Sequence, residues 1–146
     1  MDEDVDSSNR RKAIMTTINL TADTFQDTVT SDGITLVDWW AGWCGPCMQF
    51  APVYEAASDR HPDITFAKID TEAEQELSAA VQISSIPTLM AFRDGVLLYA
   101  QPGALPADAL DEIIGQVRAL DMDQVRREIA EQEQAQSPDV PEASQN

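Results

Sequence analysis

The 146-residue chain has two cysteines, Cys44 and Cys47, both within the stretch Trp43-Cys44-Gly45-Pro46-Cys47. Two thiols at this spacing can be oxidised reversibly to a disulfide. On a helix, residues three apart place their Cβ atoms about 5–6 Å from each other, slightly more than the roughly 3.5–4.5 Å of a disulfide. The pair therefore bridges with modest adjustment. A ring this small restrains little chain entropy, so the sequence predicts an exposed, easily reduced bond rather than a structural staple. At the start of a helix, unpaired amide groups and the positive dipole end favour a thiolate on Cys44. There a cysteine pKa falls from about 8.5 into the range of roughly 3.5–7.5. Cys44 is then the nucleophile and Cys47 the resolving thiol. A tetrahedral zinc site has too few soft ligands, with His61 the single histidine and no third cysteine.

The elements that must hold this pair are legible on either side of it. Thr35-Leu36-Val37-Asp38-Trp39-Trp40-Ala41 is short, apolar and rich in β-branched and aromatic residues, the signature of a buried strand. From Pro46 to Arg60, Phe50, Val53, Tyr54 and Ala57 recur three and four residues apart, as on a helix, and Pro46 is tolerated in a first turn. Pro52 falls inside that helix and is expected to kink it, freeing one carbonyl. Asp38 is anomalous, because its neighbours Leu36, Val37, Trp39 and Trp40 are all candidates for burial. Desolvation there would raise its pKa and make it a proton acceptor or donor near neutral pH. The alternative is a strand-end carboxylate bonded to backbone.

Val37-Asp38-Trp39-Trp40-Ala41, the cysteine stretch, Ala51-Pro52 and Ile86-Pro87-Thr88, in that order, resemble the thioredoxin family over residues 16 to 120. The resemblance implies an α/β thioredoxin fold, a central mixed β-sheet flanked by helices on both faces. It implies a protein-disulfide reductase acting by dithiol–disulfide exchange. It also implies that Asp38 lies buried beneath Cys47 and that Lys68 approaches Asp38, although the pattern around Lys68 fits a solvated side chain nearly as well. Read without the resemblance, Pro87 is a trans proline opening a strand, since cis is only about 5–6% of X-Pro bonds. The resemblance reverses this: Pro87 is cis and faces the cysteines, and Ile86 offers its backbone to an extended client peptide. Trp43, Gly45, Pro46 and Gly103 complete the surface around the bond.

The resemblance further implies no bound cofactor beyond the redox-active Cys44–Cys47 disulfide, recycling by an NADPH-dependent thioredoxin reductase, and disulfide-bearing client proteins as substrates. Met48-Gln49 depart from the family, in which a basic residue often follows the second cysteine, and Pro102 before Gly103 removes a backbone donor. Two other readings use the same residues. One is a disulfide oxidant or isomerase, the other a redox-gated binding module or chaperone.

Nine basic residues against twenty-six acidic ones give a net charge of −17, which argues against nucleic acid or an anionic membrane as a partner. Residues 16–120 hold four basic and fifteen acidic side chains, so the charge belongs to the domain itself. No run approaches the roughly eighteen apolar residues of a spanning helix, and the acidic start Met1–Asp6 is unlike a signal peptide. A cytoplasmic monomer is expected.

In chain order, residues 1–15 read as a disordered extension whose triplet Arg10-Arg11-Lys12 is solvated. A strand is expected over Thr16–Leu20, then a helix capped by Thr21 with Phe25 and Val29 on one face. His61 is expected at the surface, where the helix begun at the cysteines ends. Ile64–Asp70 is a strand, and Thr71 caps a short helix that turns Leu77, Ala80 and Val81 inward. Strands follow at Leu89–Phe92 and Val96–Tyr99 around the turn Arg93-Asp94-Gly95. The last domain helix starts at Leu105-Pro106-Ala107-Asp108 and carries Leu110, Ile113, Ile114 and Val117. Residues 121–136 form an amphipathic helix with Met122, Val125, Arg126 and Ile129, and 137–146 a disordered tail.

Overall fold

The computed structural model of the chain describes residues 16–136; the extensions 1–15 and 137–146, expected to be disordered, lie outside them. The strands are β1 (Thr17–Asn19), β2 (Ile34–Trp40), β3 (Thr65–Asp70), β4 (Thr88–Arg93) and β5 (Val96–Pro102). The helices are α1 (Ala22–Val29), α2 (Gly45–Arg60), α3 (Gln75–Ala80), α4 (Ala107–Ala119) and α5 (Met122–Gln136). The strands form one sheet in the order β1-β3-β2-β4-β5, with β3 parallel to both β1 and β2 and the pairs β2/β4 and β4/β5 antiparallel. This is the expected mixed sheet and the expected element order.

The two-residue period of a strand sorts the side chains of β2 between two cores. Leu36 packs with Phe50, Tyr54 and Ala57 of α2 and with Leu110, Ile114 and Val117 of α4. Val37 and Trp39 pack on the other face with Val29 of α1 and the half-buried Leu77 of α3. Because β2 is central and covered on both faces, it reads as a continuous apolar run rather than an alternating one. The helix α2 is unbroken through Pro52.

Four local expectations are corrected. The helix α3 begins at Gln75 rather than after Thr71. The Asp70 carboxylate accepts the amide proton of Glu72 at 2.9 Å, and the Thr71 hydroxyl donates to the Trp40 carbonyl at 3.0 Å, so this stretch is a turn that ties β3 to β2. On α3, Ser78 is buried and Ala80 is exposed, the Ser78 hydroxyl donating to the Glu74 carbonyl at 2.8 Å. Strand β5 runs on to Pro102, because an edge strand tolerates a residue without an N–H on its open side. His61 is half-buried: it bonds Asp111 at 3.1 Å and Arg118 at 3.2 Å, and its ring stacks on Phe66.

The β4–β5 turn has Asp94 at φ 52° and Gly95 at φ 82°, the left-handed pair that a two-residue hairpin needs. From the same corner, Arg93 Nη1 donates to the carbonyls of Val117, Leu120 and Arg118 at 2.9, 3.0 and 3.1 Å, closing the C-terminus of α4. Helix α5 then packs through the buried Met122, with Arg126 3.5 Å from Asp94.

Candidate active site

Strand β2 ends at Trp40 and α2 begins at Gly45, so the loop between them carries Cys44 to the N-cap of α2. Cys44 and Cys47 are joined as a disulfide with their Cα atoms 5.2 Å apart. The Cys47 amide donates to Cys44 Sγ at 3.2 Å, so one of the orphan N–H groups of the first turn points at the sulfur. The expected exposure of this bond is corrected, since Cys44 is 5% and Cys47 1% exposed. Ala41, Trp40 and Ile86 pack around the pair, and Cys44 Sγ lies 3.7 Å from the Ile86 carbonyl oxygen. The residues around the sulfurs are open, with Gly45, Pro46 and Gly103 exposed and Trp43 71% exposed.

The Ile86–Pro87 peptide bond is cis. Pro87 is buried and its carbonyl accepts the Gly103 amide proton at 2.7 Å, which ties the loop after β5 to the cis-proline loop whose Ile86 packs on the cysteines. Trp43 and Cys44 in the loop after β2, Gly45, Pro46 and Cys47 in the first turn of α2, and Ile86, Pro87 and Gly103 in two further loops thus come to one end of the sheet.

Asp38 is fully buried, and neither carboxylate oxygen has a hydrogen-bond partner among the described residues. Burial pushes its carboxyl up from 3.8 to about 7, against the pull of the Lys68 ammonium. Lys68 is the register partner of Asp38 on β3, yet its Nζ lies over the Trp40 ring, 5.1 Å from the centroid. It acts on Asp38 through charge, not through a direct ion pair.

Two contacts at this end were not read from sequence. The Trp43 indole N–H donates to Glu72 at 3.2 Å across a separation of twenty-nine residues, which no local pattern signals. Tyr54 is fully buried and its hydroxyl donates to the Ala67 carbonyl at 2.8 Å. A tyrosine where the helical pattern asks only for an apolar ring was the available signal, because a buried phenol needs a partner.

A buried cysteine pair at the N-terminus of a helix, packed against Ile86 of a cis-proline loop, with a buried carboxyl on the strand that precedes it, defines a thiol–disulfide oxidoreductase. Residues 16–116 match the family model described as Thioredoxin, and the chain belongs to the thioredoxin family, whose activity is protein-disulfide reduction. It is 57% identical over 117 residues to a putative thioredoxin 2 of Streptomyces coelicolor, covering 80% of this chain and 87% of that one. Identity to a thioredoxin of Bacillus subtilis is 40% over 86 residues, covering 58% and 83%. A solved thioredoxin variant from Halobacterium salinarum matches with a TM-score of 0.65 at 34% identity, covering 72% of this chain and 93% of that one. No helix among the described residues is long and apolar enough to cross a membrane.

Proposed function

We propose that the chain is a monomeric cytoplasmic electron carrier with no bound cofactor, reduced by an NADPH-dependent thioredoxin reductase and oxidised by disulfide-bearing client proteins. In this way it serves electron transport and cell redox homeostasis. The Cys44 thiolate attacks one client sulfur; a mixed disulfide forms, the client S–S bond breaks, and the second client sulfur leaves as a thiolate. Asp38 takes the proton of Cys47. The Cys47 thiolate attacks Cys44 and displaces the remaining client sulfur, so the client gains two electrons and the chain is left as its disulfide. Lys68 favours the ionised form of Asp38 by its charge.

Trp43, Gly45, Pro46, Ile86, Pro87 and Gly103 form the client surface, with the Ile86 backbone pairing an extended client segment. Residues 16–120 are the functional domain, and the helix over 121–136 is an appendage packed on it. The acidic surface and the uncharged Met48-Gln49 pair narrow which reductase and clients fit.

The observation that carries this reading is the Cys47 amide aimed at Cys44 Sγ at 3.2 Å. A donor that meets a neutral sulfur in the disulfide meets a negative one after reduction and stabilises it more strongly. The test is Cys47→Ser, assayed for turnover on insulin with a reductase and for covalent capture of clients. Loss of turnover with accumulation of mixed disulfides on Cys44 is expected. Turnover that persists in this variant overturns the mechanism.

A further inference from the structure

The Ile86 carbonyl oxygen lies 3.7 Å from Cys44 Sγ, and the Ile86 amide has no hydrogen-bond partner among the described residues. A backbone offered to an incoming strand pairs well only when it is held in place beforehand, because donor and acceptor must meet in register. From Ser84 to Pro87 the chain lies outside the helices and strands, so no ladder fixes it. Two hydrogen bonds do, one on each side of Ile86. After it, the Pro87 carbonyl accepts the Gly103 amide proton at 2.7 Å. Before it, the Ser85 carbonyl accepts the Thr88 hydroxyl proton. Thr88 is a firm post for that bond. It is buried, it opens β4, and it is paired with Trp39 of β2 on one side and Pro102 of β5 on the other.

We propose that Thr88 is a positioning residue for client binding. Its hydroxyl ties the Ser85 carbonyl to the sheet, and together with the Gly103–Pro87 bond it holds the Ile86 amide and carbonyl where an extended client segment pairs with them. This rests on the reading of Ile86 as the backbone partner of the client. The bond reaches three residues back along the chain, a side-chain-to-backbone contact that serine and threonine make. Valine has the shape of threonine and no donor, and serine has the donor without the methyl group. A buried hydroxyl without a partner is costly, and Ser85 supplies the one that Thr88 has. Thr88 makes no hydrogen bond to either cysteine. Its hydroxyl therefore acts on how the client is held and not on the thiol chemistry, and a disulfide with no peptide backbone does not sense it.

The test is the single-turnover rate of the pre-reduced protein on three disulfides. They are Ellman's reagent, which has no peptide backbone, an extended peptide disulfide, and the same peptide N-methylated at the amides flanking its attacked cysteine. Thr88→Val is expected to reduce the peptide about fivefold more slowly than wild type, the effect of one neutral hydrogen bond, and to react with Ellman's reagent at the wild-type rate. Thr88→Ala, a second variant without the hydroxyl, should do the same, and Thr88→Ser should restore the peptide rate. N-methylation should slow the wild type and have little further effect on Thr88→Val, since both changes remove the same pairing. Equal slowing of peptide and Ellman's reagent in the variants without the hydroxyl would mark a general structural loss and overturn the positioning role. A wild-type peptide rate in those variants, with N-methylation still slowing the wild type, overturns the role of Thr88 and leaves the pairing by Ile86 standing. N-methylation without effect on the wild type overturns that pairing, and the role of Thr88 with it.

Discussion

The Gly103 amide donates to the Pro87 carbonyl at 2.7 Å and so fixes the loop after β5 against the loop that overlooks Cys44. Gly103 adopts φ 113°, a conformation that side-chain-bearing residues avoid, although a Cβ there would meet nothing within 4 Å. Gly103→Ala is therefore expected to destabilise through the backbone alone, by about 1–2 kcal/mol. A urea titration with an unchanged slope and a lowered midpoint would show it. An unchanged midpoint would mean that the loop relaxes without cost.

Asp38 ties stability to pH. Its carboxyl titrates near 3.8 when the chain is unfolded and at about 7 when folded. Between those values the folded protein holds a proton that the unfolded chain has lost, so stability falls as pH rises through the window and levels off above it. At about 1.36 kcal/mol per pH unit, the whole interval costs on the order of 4 kcal/mol. Asp38→Asn is expected to remove the slope and to be more stable than wild type at pH 8, read by denaturant unfolding at several pH values. Parallel pH dependences in the two proteins would refute the assignment.

Arg93 closes α4 by donating to three carbonyls from a single nitrogen. Losing that charged donor leaves the carbonyls of Val117, Arg118 and Leu120 to water, and Arg93→Ala should cost about 2 kcal/mol. Hydrogen exchange should speed up first in the last turn of α4 and in the link that follows it, because Arg93 joins both to the sheet. Uniform acceleration across the domain would argue against a local cap.

Gln82 follows α3 at φ 66°. Its amide donates to the Ala79 carbonyl at 3.0 Å and that of Ile83 to the Ser78 carbonyl at 2.9 Å, the paired bonds of a helix end that usually employs glycine. Gln82→Gly is expected to stabilise by up to about 1 kcal/mol, the strain of the left-handed conformation less the added freedom of the unfolded chain. Thermal unfolding would measure it, and a lowered melting temperature would show that the Gln82 side chain contributes more than the strain removes.

The sequence by itself determined what depends on neighbours along the chain. The short apolar run of β2, the helical spacing after Pro46 and the two cysteines at the junction are local patterns, and they were enough for the element order, the mixed sheet and the dithiol chemistry. The anomaly of Asp38 was equally local, since a carboxylate inside an apolar strand stands out against its own neighbours. Tertiary structure decided everything that depends on segments meeting across the fold. The disulfide is buried, not exposed, because Ile86 packs against it from forty-two residues away. Trp43 meets Glu72, Lys68 lies over Trp40, and His61 is drawn into a cluster with Asp111 and Arg118. The start of α3 moved because the Asp70 carboxylate and the Trp40 carbonyl took the polar groups that a helix cap would have used. Side chains with several hydrogen-bonding options take the partner that the fold brings closest, and sequence spacing does not carry that information.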